Sequence, residues 1–134
     1  MAEVKLLEID SRVSATLLTI FPNIEVVTMT IEYRLSPETR APGPAMDYHA
    51  GLVWVSENAA SLGIDPAKIV VHAPPSGGPL AAVTCLIARD RKRPVIPIKA
   101  QLLATPMLDD RCESISDQQF EHGTLWCGAV NRQA

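Results

Sequence analysis

The feature that most constrains this chain is a pair of apolar, β-branched runs, Ile24–Tyr33 and Lys68–Ala73, kept apart by a helical stretch. The first carries Ile24, Val26, Val27, Thr28, Thr30 and Ile31; the second carries Ile69, Val70 and Val71. A strand with one wet face alternates between apolar and polar residues, whereas a run this apolar reads as a strand buried on both faces. Two buried strands joined through a helix form a βαβ unit, so the pattern predicts a parallel sheet covered by helices.

The other segments extend the same alternation. Glu8–Phe21 predicts an amphipathic helix through Ile9, Val13, Leu17 and Ile20, stopped by Pro22 and Asn23. Leu35–Pro44 is rich in Pro and predicts a loop. A second helix is expected over Ala45–Leu62, with Met46, Ala50, Val53 and Trp54 on one face, His49 at its polar edge and Gly63 as its C′ residue. Trp54 and Trp126 read as packing residues. Asp65-Pro66 turns the chain into Lys68–Ala73, and the break Pro74-Pro75-Ser76-Gly77-Gly78 precedes a third helix over Pro79–Asp90. A third strand is expected over Ala100–Thr105 and a short helix over Ser116–Cys127. The expected fold is α/β, with about three parallel strands and covering helices in a single domain over residues 1–134.

Composition removes several function classes. Apolar residues make up 47% of the chain, which supports a packed core rather than disorder. The net charge of −3 argues against nucleic-acid binding, which needs clustered cations. Arg89, Arg91, Lys92 and Arg93 surround Asp90 and read as a solvated helix end. No run is long enough to span a membrane, and the acidic first ten residues are not those of a secretory signal. Cys85, Cys112 and Cys127 are too few and too scattered for a disulfide framework or a CxxC metal clip, so a cytoplasmic location is expected. No cofactor and no metal is implied.

Four stretches together carry a resemblance. Residues 26–38 (VVTMTIEYRLSPE), Pro44-Ala45-Met46-Asp47, residues 62–69 (LGIDPAKI) and residues 106–111 (PMLDDR) occur in the order and spacing of hormone-sensitive-lipase-like serine esterases of the α/β-hydrolase fold. The resemblance runs over about residues 24–128. It implies a carboxylesterase or lipase ancestry, with a small acyl ester as substrate or ligand and an acyl-serine route.

The same resemblance implies a GDSAGG-type turn after the strand Lys68–Ala73, a sharp elbow that presents the nucleophilic Ser. Aligned without a gap, that Ser falls on Pro75, with Ala73 and Pro74 at the Gly and Asp positions and Gly77 and Gly78 in register. Proline has no hydroxyl and fixes φ near −65°. In a frame shifted by one residue, Ser76 becomes the candidate nucleophile; as an N-cap of the following helix it needs no catalytic role. Ser76, Asp109 and His122 follow the hydrolase chain order, but Asp109 also reads as a structural partner of Arg111. His72 reads either as a satisfied core histidine or as lining a residual pocket with Gly77 and Gly78.

The resemblance places an HGGG-like oxyanion loop before the first helix, where this chain has Met1–Leu7, and places the acid and His beyond Ala134. It also implies a central strand that the reading leaves empty. Ile24–Tyr33 and Lys68–Ala73 are then expected either to pair directly or to leave open edges that invite oligomers. Three readings follow: an inactive esterase-like pseudoenzyme, a non-catalytic binding protein using the residual pocket or the sheet edge, and a weak esterase using Ser76.

Overall fold

The computed structural model describes residues 5–8, 26–35, 37–109, 111–123 and 127–131. Four parallel strands form one sheet: β1 (Lys5–Glu8), β2 (Thr28–Thr30), β3 (Ile69–Ala73) and β4 (Ala100–Leu103), in the order β2-β1-β3-β4. The α/β class read from the sequence holds, with four strands rather than about three. The empty central slot is corrected. Lys5–Glu8 fills it, pairing Leu6 with Thr28 on one side and Leu6 with Val70 on the other. The two flanking strands therefore neither pair directly nor face an open gap. The helix expected over Glu8–Phe21 lies outside the described residues, apart from Glu8, which closes β1.

Strand bounds contract at the sheet edges. Among the described residues, the run read as Ile24–Tyr33 forms a strand at Thr28–Thr30, half-buried rather than fully buried, because β2 has one described neighbour in the sheet. Met29, Ile31 and Tyr33 still pack on the core. Likewise β4 ends at Leu103, and Ala100, Gln101 and Leu102 are exposed on the other edge. By contrast β3 is buried at all five positions, since it has neighbours on both sides and helices over it.

Helices α1 (Gly43–Glu57) and α2 (Gly78–Arg91) follow β2 and β3. Both crossovers step along the sheet in the same direction, so right-handedness puts both helices on one face, where they pack together. The buried stripe of α1 is Ala45, Tyr48, His49, Leu52 and Val55. This corrects the face expected from the sequence: Ala50 is exposed, Trp54 is 53% exposed, and Met46 and Val53 are half-buried. His49 is buried instead of lying at a polar edge, and its Nε2 lies 3.0 Å from the Arg93 carbonyl. Leu52 is fully buried, which contributes about 1.5–3 kcal/mol.

The helix ends follow from local chemistry. Pro44 sits in the first turn of α1, where a missing N–H costs nothing. After Asn58 the chain keeps turning to Gly63, which takes φ +65° while the Ile64 N–H reaches the Ala59 carbonyl and the Gly63 N–H the Ala60 carbonyl. That is a Schellman motif, with Gly63 at the position read from the sequence. The helix α2 closes the same way, but with Lys92 at the left-handed position (φ 52°). Within the expected tail helix Ser116–Cys127 the described residues show α3 (Ile115–Gln119), opened by a Ser114/Asp117 capping box; residues 124–126 lie outside the described residues, and α4 (Gly128–Asn131) follows. Among the described residues, no helix is long and apolar enough to cross a membrane.

Candidate functional site

Strand β1 hands the chain to β2 on one side, while β3 hands it to β4 on the other. The carboxyl ends of β1 and β3 therefore flank a topological switch point, the place where open parallel sheets bind ligands. The turn that follows β3 stands there. Pro75–Gly77 forms a right-handed 3-10 turn, entered through Pro74 at φ −67° and ψ 173°. The Gly77 N–H donates to the Pro74 carbonyl at 3.0 Å, and α2 starts directly at Gly78. Its N-cap is Gly77, and Ser76 lies inside the turn, one residue earlier.

The chain after β4 folds back over this turn. The Ala104 N–H donates to the Ala73 carbonyl at 3.1 Å, Thr105 adopts φ 47°, and Pro106 then packs on Gly78. A Cβ added at Gly78 would lie 2.5 Å from Pro106 Cβ and 2.8 Å from its Cα. Only a glycine lets the two segments approach so closely. Gly77 and Gly78 are both buried.

His72 projects from β3 one residue before its end, 8% exposed, with Leu102 beside it in the register. Burial pushes its imidazole below the ordinary value of 6.5, favouring the neutral form. Asp109 lies past Pro106, on the same loop. Its carboxylate takes a two-pronged bond from Arg111, 2.8 Å from Nε and 2.6 Å from Nη2, and accepts the Arg111 N–H at 3.0 Å. These bonds hold its pKa down at about 2. His122 is exposed. Among the described residues, Asp109 and His122 share no hydrogen bond. Thus His72, Gly77, Gly78 and the loop bearing Asp109 gather at one end of the sheet, while Asp109 is committed to its arginine.

A second ion pair orders the neighbouring segment. Arg34, after β2, makes a two-pronged contact with Asp47 on α1, at 2.8 and 2.7 Å. It joins two of the stretches that carry the sequence resemblance, although neither partner was picked out as interacting. Pro106 against Gly78 was missed too, because nothing in a linear sequence marks a contact between residues so far apart.

A strand, a tight glycine-bearing turn and a helix at the switch point of a parallel sheet define the α/β class. A match over residues 7–133 shows that the chain belongs to the α/β-hydrolase fold family. It is 42% identical over 82 residues to carboxylesterase NlhH of Mycobacterium tuberculosis, covering 61% of this chain and 25% of that protein. It is 37% identical over 99 residues to an arylesterase of Saccharolobus solfataricus, covering 74% and 31%. Among solved structures, a bacterial heroin esterase superposes with a TM-score of 0.82 and 35% identity, over 97% of this chain and 43% of that one. The chain thus spans about a quarter to a third of the length of these curated relatives. The esterase resemblance read from the sequence stands, and it extends further towards the N-terminus because β1 belongs to it.

Proposed function

We propose that this chain is a single carboxylesterase-type α/β-hydrolase module that holds a small acyl ester at the turn after β3 without hydrolysing it. The carrying observation is Pro75. In the ungapped frame of the resemblance it falls on the nucleophile position, and it opens a right-handed 3-10 turn, so the aligned residue has neither a hydroxyl nor the strained backbone of an elbow. The pairing of Asp109 with Arg111 supports the same reading, since both carboxylate oxygens already bind that arginine. Cys85, Cys112 and Cys127 are reduced rather than disulfide-bonded, which supports a reducing cytoplasmic setting.

A second reading has one observation in its favour: Ser76 lies inside the turn at the switch point, the right place for a nucleophile in a frame shifted by one. Labelling with a fluorophosphonate probe, read by intact mass on the wild-type chain and on Ser76→Ala, separates the two. No adduct on a chain folded by circular dichroism is the expected result. A stoichiometric adduct that disappears in Ser76→Ala refutes the non-catalytic reading and makes Ser76 the nucleophile.

A further inference from the structure

A cavity of about 670 Å³ lies between the last turns of α2 and the start of β4, in the size range of small-molecule sites. It is remote from the turn after β3. At 1.5 Å per residue, Lys92 stands about 20 Å along α2 from Gly78. The cavity also opens at the amino end of the strands, not at the carboxyl end where the switch point lies. It is therefore not the acyl site of the proposed function.

Its chemistry is two-sided. Ala88, Val95 and Ile98 supply apolar lining, and Val95 is 85% exposed, an apolar side chain left wet at the rim. Cys85 lines the same cavity, and burial pushes its thiol up, as an apolar surrounding does. Two cations complete the wall. Arg89 is paired with Asp90 at 2.7 Å, so its charge is largely met. Lys92 also lines the cavity and has no ion pair among the described residues. An apolar cleft closed by one unmatched ammonium is complementary to an alkyl chain ending in an anion.

We infer that this cavity is a binding site for a medium-chain alkyl carboxylate, with the alkyl chain along Ala88, Val95 and Ile98 and the carboxylate on Lys92. Lys92 is an unusual place for such a residue. It takes the left-handed position that closes α2, where glycine is the favoured residue. Replacing it with glycine therefore removes the ammonium without endangering the fold.

Cys85 reports on occupancy directly. Iodoacetamide alkylation at about pH 8.5, mapped peptide by peptide, is followed with sodium decanoate, decanol or decyltrimethylammonium below their micelle concentrations. Decanoate is expected to slow alkylation of Cys85 about tenfold, with Cys127 as the unaffected internal reference. Decanol and the decyl cation are expected to protect far less. In Lys92→Gly the decanoate midpoint is expected to rise about tenfold while the fold, read by circular dichroism, is unchanged. Ala88→Trp, which fills the cavity, is expected to abolish protection. Absence of protection by decanoate, equal protection by all three amphiphiles, or an unchanged midpoint in Lys92→Gly would each overturn the assignment.

Discussion

Gly78→Ala tests the packing of the candidate site, because the effect has opposite signs depending on whether Pro106 lies where it is described. The backbone of Gly78 is ordinary for a helix, at φ −56° and ψ −49°. On propensity alone, alanine would then stabilise by up to about 1 kcal/mol, and by less in a first turn. Space decides against it. Carbon atoms rest at about 3.5–4.0 Å, whereas the new methyl would sit 2.5 Å from Pro106 Cβ and 2.8 Å from its Cα. One of these is main chain in a rigid ring, so no side-chain rotation relieves the overlap. The loop is held from behind as well. Retreat by Pro106 strains the Ala104 N–H bond to the Ala73 carbonyl, now 3.1 Å. Overpacking of this kind costs about 1–3 kcal/mol. The expected net effect is therefore a loss of about 1–2 kcal/mol, read by urea unfolding with an unchanged m-value.

Gly63→Ala is the matched contrast. Nothing stands within 4 Å of its added Cβ, but φ is +65°, so the cost of about 1 kcal/mol comes from the left-handed backbone alone. Asparagine tolerates that conformation and is expected to recover part of the loss at residue 63, while at residue 78 it is expected to be worse than alanine. A Gly78→Ala chain as stable as wild type, or more stable, refutes the account: the loop after β4 would not lie on the turn.

Two further outcomes follow from buried polar groups. The Thr84 hydroxyl is fully buried and has no hydrogen-bond partner among the described residues; Thr84→Val is expected to raise unfolding free energy by about 1 kcal/mol, and a loss in the same urea assay refutes the unmet hydroxyl. Because burial lowers the His72 pKa from 6.5, the unfolded chain takes up that proton before the folded one does. The stability tied to a neutral His72 is therefore complete above about pH 6.5 and is lost as pH falls towards the depressed folded value. The fall in urea midpoint between about pH 7.5 and 5.5 is expected to be smaller in His72→Phe than in wild type, and equal falls contradict the assignment.

How much of this was legible in the sequence depended on whether local chemistry or tertiary context set each feature. Helix α2, strand β3 and the Schellman turn at Gly63 were read correctly because proline, glycine and β-branched residues act locally there. The buried face of α1 was misread because Trp54 and Met46 are as apolar as the residues that do pack; only the position of β3 and α2 beneath the helix selects Tyr48, Leu52 and Val55. Strand lengths at the edges were over-read for a related reason, since sequence cannot tell which strands will have one neighbour rather than two.

The decisive miss was β1. Lys5-Leu6-Leu7-Glu8 contains four strong helix formers and no β-branched residue, so its own preference points away from a strand. What makes it one is the slot between β2 and β3, where it gains paired neighbours on both sides; packing context routinely overrides propensity in this way. The consequence reaches the site. Without β1 the chain shows one direction of travel along the sheet and no reversal. With β1 in place, the reversal falls between β1 and β3, and the turn carrying Pro75 and Ser76 stands at the only crevice that the described strand order creates. The sequence motif located the turn. The strand that its own residues disfavour is what makes that turn a site.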